Sequence, residues 1–118
     1  MDLSYFDRIA ISQFSSLEKE CIYQVVCAAM IVDGEKDPKE LQLLNDIVNV
    51  IGLTPSERAA SRSLDEPTMT RTIRNMDEFK RAYVGKFIAQ MLLADEKITQ
   101  KEQLFFDYLV NRLNLPQL

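Results

Sequence analysis

Carboxylate oxygens are the chemistry this sequence offers. Asp33, Glu35, Asp37 and Glu40 place four acidic side chains within eight residues, and Asp95, Glu96 and Glu102 place three more in a second short stretch. Hard divalent cations of the Ca²⁺ or Mg²⁺ type take oxygen ligands of this kind. Asp33, Glu40, Asp95 and Glu102 are the first candidate metal ligands; Glu35, Asp37 and Glu96 stand behind them. The spacing is not that of an EF-hand, whose loop runs about 12 residues with Gly in sixth place and Glu in last. Here Gly34 is second in a run of eight.

Most of these carboxylates also have an ordinary structural use. Asp37 precedes Pro38 as a helix N-cap, and Glu40 stands at the third helical position, where it completes a capping box. Thr99 and Glu102 repeat the pattern. Asp33 and Asp95 differ. Each follows an apolar helix, and the helix dipole disfavours a negative charge at that end by about 0.3–1 kcal/mol. Each therefore calls for a partner: a loop N–H, a cation, or a basic side chain. Arg58 with Arg62, and Arg71 with Arg74, fall at helical spacing and are candidates for a basic patch or for plain solvated faces.

Composition narrows the rest. The chain has 118 residues, 14 Lys plus Arg, 18 Asp plus Glu, a net charge of −4 and no histidine or tryptophan. Without histidine there is no Ser–His–Asp or Cys–His centre, no His-ligated zinc or haem, and no imidazole acid–base catalyst. No glycine-rich loop or nucleophile elbow accompanies the acids, so the chain reads as a non-enzyme. The acidic balance argues against nucleic acid as a partner. Cys21 and Cys27 lie about 9 Å apart along a helix and on different faces, so they do not bridge and read as small buried hydrophobes. The longest apolar run, Cys27 to Val32, is far short of the roughly 18 residues of a membrane span. A single cytoplasmic domain without direct membrane insertion is expected.

These residues need helices to hold them. No segment alternates as a strand does. The apolar spacing predicts a helix from about Leu3 to Phe14; a central one capped by Ser15 or Ser16 and running to about Val32; a third capped by Asp37 and stopped by Gly52; and a fourth opened by Thr54-Pro55. A short helix follows Asp65-Glu66-Pro67. A long one runs from Asp77 to near Ala94 with Phe79, Tyr83, Phe87 and Met91 among its buried residues. The last is capped by Thr99 and stopped at Asn114-Leu115-Pro116. Leu17, Leu41, Leu104 and Ile9 are assigned to inward faces. Phe105 and Phe106 lie about 100° apart, so they cannot both face one core.

The two halves repeat. Asp33 and Asp95, Lys39 and Lys101, Glu40 and Glu102, Val48 and Val110, Asn49 and Asn111, and Leu53 and Leu115 are identical residues, each pair 62 positions apart. The apolar positions keep step between about 17–53 and 79–115. The fold class is therefore all-α: a bundle of about seven helices built from two pseudo-symmetric helical hairpins.

CAAMIVDGEKDPKELQLLNDIVNVIGL and FIAQMLLADEKITQKEQLFFDYLVNRLNL resemble the TerB family of tellurite-resistance-type domains. That family repeats an apolar helix ending in Ala-Asp-Gly, a Glu seven residues after the Asp, and a Leu-rich helix. The first copy matches in Asp33, Gly34 and Glu40. The second keeps Asp95 and Glu102 but carries Glu96 in place of the Gly. The resemblance implies a compact helical domain with a divalent-metal-binding or stress-response scaffolding role, a protein partner in association with membrane-bound proteins, and no established enzymatic activity. The leading expectation is a non-catalytic module acting through its acidic loops. The alternative is an adaptor using an apolar or Arg-rich helix face without metal.

Overall fold

Each helix of this protein starts at an oxygen-bearing side chain that accepts a backbone N–H. The computed structural model describes residues 4–32, 37–94 and 98–116. Within them lie α1 (Tyr5–Ile11), α2 (Ser16–Ile31), α3 (Pro38–Ile51), α4 (Pro55–Ser61), α5 (Glu66–Arg74), α6 (Glu78–Leu92) and α7 (Gln100–Arg112). Their N-caps are Ser4, Ser15, Asp37, Thr54, Asp65, Asp77 and Thr99. No strand occurs among the described residues. The all-α bundle read from the sequence is what forms. The helix starts fall where the capping residues put them, because a cap oxygen satisfies a first-turn donor that has no partner inside the helix.

The two central helices, α2 and α6, bury residues on more than one face. Cys21, Ile22, Val25, Val26, Ala29 and Met30 of α2 are buried, and so are Val84, Phe87, Ile88, Met91 and Leu92 of α6. The outer helices pack around them: α3, α4 and α5 on α2, and α1, α3 and α7 on α6.

The repeat is wider than the sequence suggested. Shifting α1 by 62 positions lands it on α5, and Ile11 and Ile73 are both buried; Phe14 and Met76 match and are buried too. The packing obeys the same rule, since α1 lies on α6 as α5 lies on α2. Three helices therefore repeat, as α1–α2–α3 and α5–α6–α7, and α4 is the unmatched insertion. The pseudo-two-fold axis passes between Glu18 and Lys80, equivalent positions whose side chains meet at 2.9 Å. Lys80 sits in the first turn of α6, where the helix dipole disfavours a cation. Glu18 offsets this directly, and the Phe14 ring lies 5.8 Å from the ammonium group. Burial pushes the Glu18 carboxyl up, but the Ser15 N–H and Lys80 outweigh it and leave it below the ordinary range.

The stops of α3 and α7 are also equivalents. Gly52 has φ 70° and Asn114 has φ 54°, both left-handed. The next N–H in each case bonds back into the helix: Leu53 to the Val48 carbonyl and Leu115 to the Val110 carbonyl, both at 3.0 Å. This is the Schellman closure, and it seats Leu53 and Leu115 in the core.

Several burial expectations are corrected. Phe79 is 79% exposed, and Leu17, its equivalent on α2, is exposed as well. Each sits about 100° round its helix from Glu18 or Lys80, the neighbouring residues that face the opposite helix. Leu104 is 61% exposed, and Leu41 and Ile9 are exposed too, because the stripe on each short outer helix is wider than the core it faces. Ile31, in the last turn of α2, is 52% exposed. The two cysteines are free, as expected, and burial raises the Cys21 thiol to about 11.

Helix α1 is fastened to α6 through the Tyr83 hydroxyl, which donates to Asp7 Oδ1. That bond first, and then the Ser4 N–H, holds the Asp7 carboxyl down at about 2, while the same bond and burial raise Tyr83 to about 12. A depressed carboxyl contributes stability above its unfolded value and loses it as pH falls. Tyr83→Phe is therefore expected to lower stability at neutral pH, with the difference from wild type shrinking between about pH 4 and pH 2, read by denaturant titration. Gly52→Ala is expected to cost roughly 1 kcal/mol, whereas Asn114→Gly costs nothing measurable, because only the former puts a Cβ on a left-handed residue that lacked one.

Candidate functional site

The two capping glutamates are the best-defined members of the predicted acidic set, and both face inward. Glu40 is 6% exposed and Glu102 is 3% exposed. Glu102 Oε1 accepts the Thr99 N–H at 3.0 Å, and the Thr99 hydroxyl accepts the Glu102 N–H at 3.1 Å. Glu40 Oε1 accepts the Asp37 N–H at 3.3 Å, and Asp37 Oδ1 accepts the Lys39 N–H at 2.7 Å. Asp37, Glu40 and Glu102 are thus engaged in starting α3 and α7. Asp33, Glu35, Asp95 and Glu96 lie outside the described residues. Among the described residues there is no group of three acidic or cysteine side chains placed to hold a metal ion.

The arginines are drawn into packing. Arg58 of α4 lies 5.1 Å over the Tyr23 ring and donates from Nε to the Tyr23 hydroxyl at 2.8 Å. Arg74 donates to the Arg112 carbonyl at 3.1 Å, which fits a cation at a helix C-terminus. Arg62 and Arg71 are exposed. Arg58 and Arg74 fasten helices to one another, so the four arginines do not act together as one free patch.

A groove lies between α6 and α7. It has a volume of about 570 Å³ and is lined by Gly85, Ala89, Phe106, Val110, Leu115 and the polar pair Asp107 and Asn111, with Pro116 at its end. A second hollow of about 270 Å³, walled by Leu92, Leu93, Ile98 and Gln103, shares Ala89 and Phe106 with it. The two adjoin at Ala89 and Phe106 and together form a channel of mixed apolar and polar lining along the hairpin. Phe105 and Phe106 do diverge as their spacing requires: Phe106 lines this channel, and Phe105 lines a separate hollow beside α5.

The pseudo-symmetry explains why the channel is open. Gly85 and Ala89 stand where the first repeat has Tyr23 and Cys27. Tyr23 is half-buried against the core and covered by Arg58 of α4. The groove beside Gly85 therefore lacks the side chain that fills the equivalent place in the first repeat. Sequence reasoning passed over this face because it searched for reactive groups, and small residues carry none. The available signal was Gly85 itself. A glycine inside a helix costs roughly 0.5–1 kcal/mol relative to alanine, so its presence points to space or to a close approach.

No known family description matches the sequence, and no curated protein matches it. Among solved structures, a crystal structure of a protein of unknown function from Porphyromonas gingivalis W83 is similar, with a TM-score of 0.77 at 20% identity over 100% of this chain and 88% of that one. The similarity establishes the helical fold.

A Cβ built on Gly85 would meet only Leu115 atoms, at 3.9 and 4.0 Å, which is ordinary contact. Gly85→Ala is thus expected to raise stability by roughly 0.5–1 kcal/mol, measured as a higher denaturation midpoint with unchanged slope.

Proposed function

We propose that this chain is a non-catalytic protein-binding module whose contact surface is the α6–α7 channel. The observation that carries the reading is the channel itself: adjoining hollows of mixed apolar and polar lining, on a face where the first repeat is filled by Tyr23. Ordinary pockets that orient a partner combine apolar walls with a few polar groups, and Asp107 and Asn111 supply those here. The exposed Leu93 and Ile98 extend the apolar surface at one end. The absence of histidine from the sequence favours a role in binding over turnover. The doubled helix–acidic loop–helix pattern supports a TerB-like assignment and its stress-response setting as part of the same proposal.

The acidic loops give a second reading, favoured by the crowding of Asp33, Glu35, Asp95 and Glu96 at equivalent places in the two repeats. There a divalent cation of the Ca²⁺ or Mg²⁺ type would fix the loops, and the partner would recognise them. One experiment separates the two. A photo-crosslinking residue is placed at Ala89, at Val110, or at the exposed control Ser12, and the protein is exposed to lysate of its native host. The channel reading expects the same crosslinked protein from positions 89 and 110, none from position 12, and no change on Asp33→Asn with Asp95→Asn or with chelator. Crosslinking no stronger from the channel than from Ser12 would sink it. Loss of capture on Asp33→Asn with Asp95→Asn, together with calorimetric binding of Ca²⁺, Mg²⁺, Mn²⁺ or Zn²⁺ below millimolar, would transfer the function to the loops.

A further inference from the structure

A separate hollow of about 270 Å³ lies where α2, α5 and α7 meet. Val25 and Ala28 of α2 form one wall, and Met69, Phe105, Leu109 and Leu113 form most of the others, so the lining is mainly apolar. The two α2 residues are smaller than their equivalents in the second repeat, Phe87 and Gln90. The mouth is different in kind. Glu66 of α5 and Tyr108 and Arg112 of α7 reach it, so it carries one negative and one positive charge side by side. Arg112 Nε stands 3.8 Å from Glu66 Oε1, beyond hydrogen-bond range, and the Tyr108 hydroxyl stands 3.5 Å from the same oxygen. The arginine and glutamate side chains are 49% and 60% exposed. A loose, solvated pair of this kind contributes little to stability and parts at small cost.

We infer that this hollow binds a free α-amino acid with a large apolar side chain, such as phenylalanine. The side chain enters the hollow, the carboxylate pairs with the Arg112 guanidinium, and the ammonium group pairs with Glu66. Charge complementarity selects this occupant. A fatty or aryl carboxylate would meet Arg112 but be set against Glu66, and an amine would meet Glu66 but be set against Arg112. A zwitterion answers both, because a single carbon separates its charged groups and the two charges at the mouth are equally close neighbours. A residue inside a protein chain carries neither charge, which sets this ligand apart from the protein partner of the α6–α7 channel. A polar amino acid would lose hydration against apolar walls without gaining a hydrogen bond there. Apolar walls with a few polar groups that fix orientation are the usual make-up of a small-molecule site, and the volume lies just under the roughly 300–1,000 Å³ of sites for larger ligands.

The test follows amide chemical shifts of the whole chain on addition of L-phenylalanine, 3-phenylpropionate, 2-phenylethylamine or glycine. The expected result is saturable binding of L-phenylalanine, with the largest shifts at Met69, Thr70, Leu109 and Arg112. The two single-charge analogues should bind several-fold more weakly, and glycine, which has no side chain to bury, should not bind. Glu66→Gln should bring 3-phenylpropionate level with L-phenylalanine, and Arg112→Gln should do the same for 2-phenylethylamine. Ala28→Leu, which narrows the hollow, should abolish binding of all three. The two substitutions at the mouth change exposed side chains, so they decide the matter even if Ala28→Leu does not fold. Shifts with L-phenylalanine that do not saturate, or that lie away from these amides, would overturn the inference. So would equal affinity for the single-charge analogues in the unaltered chain, or indifference to both substitutions at the mouth. Crosslinking from Ala89 and Val110 reads a different face, so the channel reading stands or falls separately.

Discussion

Two helices that are apolar on several faces cannot be covered by one layer, and the whole arrangement answers that requirement. Helices α2 and α6 each bury residues such as Ile22 and Ile88 completely, which takes neighbours on opposite sides. Placing the two against each other solves half of the problem. The outer helices solve the other half by crossing over, α1 onto α6 and α5 onto α2, so that each repeat supplies cover for its counterpart. Neither repeat can complete its own core. Burial in this exchange, worth roughly 25 cal/mol per Å² of apolar surface, ties the halves into one cooperative unit.

Symmetry of this kind carries an electrostatic difficulty at the axis. The first turns of α2 and α6 come together there, and both present the positive end of a helix dipole. An identical pair of residues would have placed like charges face to face. The chain instead places Glu18 opposite Lys80, so the carboxylate offsets the cation and the contact has a direction. The same break of symmetry runs outward. Tyr23, stacked by Arg58, fills a place in the first repeat that Gly85 leaves empty in the second.

How much of this could be read beforehand follows from which interactions are local. Helix starts were legible because Ser15, Asp37 and Thr99 act on donors three residues away, and sequence spacing fixes that distance. The stop at Gly52 was legible for the same reason, and Asn114 was found through its place in the repeat. Burial was legible only where a helix has neighbours on the side its pattern suggests. Phe79 and Leu104 have apolar neighbours at helical spacing but no opposing helix, and spacing along one chain says nothing of that. The participation of α1 and α5 in the repeat was hidden because Ile11 and Ile73 are the clearest shared core position in two short helices of otherwise different sequence.

The acidic residues illustrate why residue type alone does not identify a site. Glu40 and Glu102 drew attention as repeated carboxylates, yet repetition follows as well from a shared folding task as from a shared ligand. Each accepts the N–H of its own cap and is covered by the helices around it. A carboxylate in that position is held by geometry it cannot abandon without freeing an unsatisfied donor at the helix start. What repetition preserves here is therefore the fold. What distinguishes one repeat from the other, Gly85 against Tyr23 and Asp107 against Asn45, lies instead along the α6–α7 groove.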